Sequence, residues 1–79
     1  MVKKRDTYNY NLWDGSTKVY EGITNDPEVR EQQHKQDKRF TRVEVHKPAV
    51  SRETALEREQ ETIERYRQSH GGRPPKYNN

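Results

Sequence analysis

The strongest constraint on this chain lies where Val19-Tyr20-Glu21-Gly22-Ile23-Thr24 meets Asn25-Asp26-Pro27-Glu28. The first run is β-branched and aromatic and stops near a glycine, as a strand does. Directly after it come a side-chain cap, a proline suited to the first helical position and an acid for the first turn. A strand must therefore hand over to a helix within a few residues, and that helix is predicted to run to about Lys35 or Gln36. It is almost entirely polar, with Val29 as its one clearly apolar anchor. So polar a helix either needs tertiary support or exists to display its side chains.

The flanking sequence extends the pattern. Thr7 to Trp13 alternates, with Tyr8, Tyr10 and Leu12 on one face and Asn9, Asn11 and Trp13 on the other, which predicts a strand. Asp14-Gly15-Ser16 is a turn, and Lys18 to Gly22 is a second strand, so the two form an antiparallel hairpin. Phe40 to His46 alternates again, with Val43 and Val45 on one face. Lys47-Pro48-Ala49-Val50 is expected to lead away from this third strand, because proline suits a strand end. Ser51 caps a second, longer helix reaching about Gln68. Gly71-Gly72 and Pro74-Pro75 then end regular structure and leave Lys76-Tyr77-Asn78-Asn79 as a tail. The order β-β-α-β-α predicts an α/β chain of the α+β kind, a three-stranded antiparallel sheet flanked by helices. One domain is expected over 1–79, with a frayed basic lead-in at 1–6 and a polar tail at 70–79.

Only 11 of the 79 residues are Leu, Ile, Val or Phe, a composition that by itself leans towards disorder. Against that, acids and bases nearly balance at a net charge of +3, and five tyrosines, Trp13 and Phe40 add packing area. A folded but marginal domain is expected, helped by a ligand, a protein partner or a homodimer. The absence of cysteine excludes disulfides and thiolate metal sites. No apolar run reaches membrane-spanning length and the N-terminus has no room for a signal peptide, so no membrane partner and a cytoplasmic location are expected. The isoelectric point is near 9.3. Basic groups cluster at Lys3-Lys4-Arg5, at Lys35, Lys38, Arg39 and Arg42, and at Arg73 and Lys76. This favours a polyanionic partner, with a merely solvated surface as the alternative.

Several residues stand out of place. The apolar stripe of the second helix is Leu56, Ile63 and Tyr66, with Ala55 beside it, and Glu59 occupies that stripe. A lone buried carboxylate is costly, so it should pair with an arginine, bind a metal or sit at a cleft. Glu53, Glu57, Glu61 and Glu64 are expected in solvent, with Glu61 paired to Arg65. Arg30 and His34 share a helix face; arginine suits phosphate clamping and histidine proton transfer, or both are plain surface residues. Tyr8, Tyr10 and Tyr20 lie on adjacent strands, where core packing with hydroxyls at the rim is the simplest role. There is no glycine-rich phosphate loop and no nucleophile elbow, and His34, His46 and His70 lack metal-motif spacing.

Taken together, these positions resemble the GIY-YIG nuclease superfamily, over roughly Thr7 to Asn78. Tyr8-Asn9-Tyr10 stands where the family's first strand motif belongs and Tyr20-Glu21-Gly22 where the second does. Arg30 follows ten residues after Tyr20 and His34 four later, as in many small members. Ala55-Leu56-Glu57-Arg58-Glu59 resembles the family's Ala-Leu-x-x-Glu. Pro75-Lys76-Tyr77-Asn78 looks like the tail that follows in the nuclease domain of the bacterial excision-repair incision enzyme. The first motif lacks its usual small and apolar residues, and Tyr8 shares the face of Tyr10, so either tyrosine could be the motif's. The resemblance implies a metal-dependent DNA endonuclease, with a role in DNA repair as one setting. It implies one Mg²⁺ (or Mn²⁺) on Glu59 and a phosphate clamp from Arg30. Tyr10 and Tyr20 would position and deprotonate water, and one of them needs a nearby cation, the metal, Lys18 or Arg30, to lower its pKa. His34 would support the site and Asn78 would orient the base or the water. Lys18, Lys35, Lys38, Arg39 and Arg42 would hold the DNA backbone. The alternatives are a catalytically silent DNA-binding module of the same fold and a small interaction protein.

Overall fold

The computed structural model describes residues 4–78; residues 1–3 of the expected lead-in and residue 79 of the expected tail lie outside the described residues. Strand β1 (Thr7–Asp14), strand β2 (Thr17–Thr24), helix α1 (Pro27–Asp37), strand β3 (Arg42–Val50) and helix α2 (Arg52–Ser69) follow in that order. The sheet order is β2-β1-β3, with β1 central and antiparallel to both neighbours. This is an α+β chain in a β-β-α-β-α arrangement.

Two strand ends differ from the sequence expectation. β2 continues past Gly22 because Asn9 and Tyr8 pair with Ile23 and Thr24. β3 does not end at His46: it continues through Pro48 to Val50, which lies opposite Thr7. The Lys47–Pro48 peptide is cis. Proline is tolerated there because β3 is an edge strand and a register shift falls between Thr7 and Asn9. Phe40 precedes the strand and packs against the core instead.

Both faces of β1 are covered. On one face Tyr10 and Leu12 are buried in a cluster with Val19, and Tyr20, Phe40, Val43, Val45 and Tyr77 close around it. The other face is polar yet equally buried at Asn9 and Asn11. Asn9 Nδ2 donates to the Ala55 carbonyl of α2 at 2.9 Å, and the Asn11 amide meets His46 Nε2 at 3.1 Å. Trp13 Nε1 donates to Asn11 Oδ1 at 2.6 Å. A buried amide left unpaired would cost about 1–3 kcal/mol. These bonds let asparagine occupy a central strand.

The helices are anchored differently from the expected pattern. Asp26 caps α1 by accepting from the Val29 backbone N–H at 3.2 Å. Val29 itself is 52% exposed, so it anchors nothing; the buried residue of α1 is His34. Ser51 caps α2, as predicted. Ala55 is fully buried whereas Leu56 is exposed, so the inward stripe begins at Ala55 and continues through Glu59, Thr62, Ile63 and Tyr66, all half-buried. Among the described residues no ion pair joins Glu61 to Arg65; the helical pair is Glu31–Lys35 at 3.3 Å.

The tail is a built part of the fold. Pro75 is fully buried and Lys76–Asn78 form a 3-10 turn against β2. Asn78 Oδ1 accepts from the Glu21 backbone N–H and its Nδ2 donates to the Glu21 carbonyl, both at 2.8 Å. One amide thereby closes the outer edge of β2, where backbone groups would otherwise lie unpaired.

Candidate functional site

The register fixes the centre of the site. Tyr10 lies opposite Gly22 and Leu12 opposite Tyr20, so the two phenol rings stand on one face of the sheet beside the glycine. A Cβ at Gly22 would fall 2.7 Å from Tyr20 Cε2 and 2.9 Å from Tyr10 Cζ and Oη. Only a bare backbone lets the rings come this close, at 5.9 Å between centroids. His34 reaches down from α1 to both. Its Nε2 lies 2.6 Å from Tyr10 Oη, and its ring centroid is 4.9 Å from that of Tyr20. Tyr10, and not Tyr8, is therefore the first-strand tyrosine in the cluster.

Burial sets the protonation of this group. It pushes the Tyr10 phenol well above its ordinary range; the adjacent Tyr20 and the Glu59 charge add to this and Arg30 opposes it. That differs from the expected activated phenol: Tyr10 is held neutral. Burial also lowers His34 below its ordinary 6.5, with the Lys38 and Arg30 charges helping and Asp37 opposing. At neutral pH the pair is a neutral phenol against a neutral imidazole. The hydroxyl donates in the tautomer whose Nε2 is bare.

Two charges act on Tyr10 from outside the pair, Arg30 from α1 and Glu59 from α2, the helix that packs on the opposite, Asn9 face of the sheet. Arg30, one turn before His34, is exposed and has no ion pair among the described residues, and its charge reaches both Tyr10 and His34. Glu59, on the inward stripe of α2, is near enough for its charge to act on Tyr10 and Glu21. Burial raises the Glu59 pKa, and the Arg52 charge opposes this without forming an ion pair among the described residues. Of the alternatives open to Glu59, the arginine pair is not the one adopted. Among the described residues no group of three or more His, Asp or Glu is arranged around a common point. A lone, unpaired, partly desolvated carboxylate still fits Mg²⁺, which keeps several waters and takes one or two carboxylates together with substrate phosphate.

The other expected site residues are distributed. The Asn78 amide is committed to the Glu21 backbone. Lys18 lies on the opposite face, 3.2 Å from Glu21 Oε2 and over the Trp13 ring, so it is not the cation beside the tyrosines. Arg42 also lies over Trp13 and pairs with Glu44. Lys35 and Arg39 are exposed near the end of α1. The basic residues thus form two groups rather than one patch. Lys38, expected as a DNA-backbone contact, has surroundings that sequence reasoning did not foresee. Its side chain is 17% exposed, and its ammonium lies 5.3 Å from the Tyr20 ring centroid and 5.9 Å from that of Tyr77. Sequence spacing alone does not find it, because Lys38 is the extended C-cap residue just past the end of α1 and is turned to the rings by the chain's exit from the helix.

Comparison of the chain with family models, with curated proteins and with solved structures gives no match.

Proposed function

We propose that this chain is a metal-dependent DNA endonuclease of the GIY-YIG kind, hydrolysing phosphodiester bonds. The observation that carries this reading is the 2.6 Å contact of Tyr10 Oη with His34 Nε2, set beside Tyr20 and within charge reach of Arg30 and Glu59. Arg30 clamps the scissile phosphate and offsets charge developing on it, a role worth about 3–4 kcal/mol where the donor is preorganised. A water held at Tyr10 Oη passes a proton to that oxygen as Tyr10 passes its own to His34 Nε2. No free phenolate is needed, and the raised phenol pKa becomes compatible with base catalysis. The water oxygen forms the new bond to phosphorus and the bond to the leaving sugar oxygen breaks. Glu59 would hold the Mg²⁺, which supplies Lewis-acid polarisation of a phosphoryl oxygen and stabilises the leaving oxygen. Tyr20 and Lys38 shape the wall beside His34.

Plasmid nicking with Mg²⁺ against EDTA tests the reading. Nicking is expected only with the metal. Glu59→Ala should abolish it with the circular dichroism spectrum unchanged, and Arg30→Ala should lower the rate by about a hundredfold or more. Full activity of Glu59→Ala would remove the metal assignment. DNA binding with no nicking under any condition would favour a catalytically silent module of the same fold.

A further inference from the structure

The cleft between β1 and α2 carries chemistry that phosphodiester hydrolysis does not use. Trp13 stands on the β1 face that looks towards α2, and with Tyr66 and His70 it lines a cavity of about 400 Å³. That volume falls within the ~300–1,000 Å³ of small-ligand sites. The Tyr66 and His70 rings are stacked, 3.7 Å between centroids and 3° from parallel. His70 Nδ1 lies 2.8 Å from the Tyr66 carbonyl oxygen and 2.9 Å from Ser69 Oγ, which holds the imidazole in the stack. The Trp13 indole is fixed by its bond to Asn11 and has Lys18 Nζ at 5.7 Å and Arg42 Cζ at 4.7 Å from a ring centroid. The side chains lining the cavity include Lys18 and Arg65 and no carboxylate. Aromatic side chains that merely sealed α2 to the sheet would close on each other. Here His70 is exposed, Trp13 is only half-buried and the space between them is open.

Flat, pre-oriented rings beside cations are what a single strand needs: each base has a face to stack, and its phosphates need neutralising. We propose that this cleft binds an unpaired nucleobase of a single-stranded nucleic acid. The base stacks on Trp13 or on the Tyr66–His70 pair, and Lys18, Arg42 and Arg65 meet the flanking phosphates. Trp13 and Tyr10 point to opposite faces of β1, so a strand touching both sites must pass around the sheet. Resting on the nuclease reading, this makes the preferred substrate a DNA with an unpaired segment. The binding itself is independent of cleavage.

Trp13 is the only tryptophan in the chain, so its emission reports the cleft directly. The full chain is titrated in EDTA, at low salt, with a short oligothymidylate, an oligouridylate and a blunt duplex of equal length. Saturable quenching by a single strand, with the duplex much weaker, is expected, and the DNA and RNA arms identify the sugar. His70→Ala, at an exposed position, should weaken single-strand affinity about tenfold. Arg65→Gln should weaken it and flatten its salt dependence. The proposal fails if neither single strand quenches, if the duplex quenches equally, or if both variants bind as the parent does. Glu59→Ala separates the two readings. Cleavage lost with quenching kept supports both. In the parent, nicking without quenching overturns this proposal alone, and quenching without nicking overturns the nuclease alone.

Discussion

At the scale of single residues, the site depends on one bare backbone position and one neutral imidazole. Gly22→Ala should force the Tyr10 and Tyr20 rings apart, since the new methyl would meet both within 3 Å. Overpacking of this kind costs about 1–3 kcal/mol. The variant should show a lowered Tm and, on the nuclease reading, a larger loss of nicking than its stability change explains. On the nuclease reading His34 must be neutral to accept a proton, and its pKa is lowered, so nicking should persist below the ordinary histidine range and fall only under pH 6.5. Lys38 is one of the charges that holds His34 down. Lys38→Gln should therefore move the acid limb of kcat/KM to higher pH. A limb set by Glu59, on which Lys38 has no resolved influence, would stay in place.

At the scale of elements, α1 hangs on the sheet by one buried polar residue. With Val29 in solvent, the contact of His34 with the two tyrosines is the helix's anchor and, on the nuclease reading, part of its chemistry as well. This is why so polar a helix is ordered: its support comes from the site. The 3-10 turn does the corresponding work for β2. Asn78→Ala should remove two hydrogen bonds to Glu21 and reduce stability by about 1–3 kcal/mol. Chemical denaturation measures this, with hydrogen exchange at Glu21 rising as the strand edge opens. A loss of activity with no change in either measurement would show that Asn78 acts on substrate instead.

At the scale of the whole molecule, a sheet covered on both faces by so few apolar residues leaves charge buried between its layers. Glu21 is 2% exposed, with the Lys18 ammonium 3.2 Å from Oε2 but no hydrogen bond to that oxygen. Burial raises its pKa and Lys18 opposes the rise. A carboxyl with a raised folded pKa binds its proton more tightly in the folded state. Its contribution to stability is therefore fullest at acid pH and is lost as pH rises from 4.5 through the folded value. The stability of the parent should fall relative to Glu21→Gln across that window. Parallel pH profiles for the two proteins would count against a buried, strained carboxylate at this position.

The five main elements were legible in the sequence because their signals are local. Asp26-Pro27 and Ser51 cap helices wherever they fall, Asp14-Gly15 turns a chain, and alternation marks strands. Glu59 was legible too, because a carboxylate on an apolar stripe breaks a local rule. What needed the tertiary structure were properties that depend on partners distant in sequence. Pairing with Thr7 carries β3 through Pro48, and packing against α2 buries Asn9 as fully as Tyr10. Burial, with Tyr20 alongside, makes the Tyr10 phenol harder to ionise where sequence reasoning expected it to be activated. Asn78 spends its amide on a strand edge 57 residues away. Residue order and short-range spacing decide which elements form; desolvation and charge fields, which decide what the side chains can do, come only from the assembled fold.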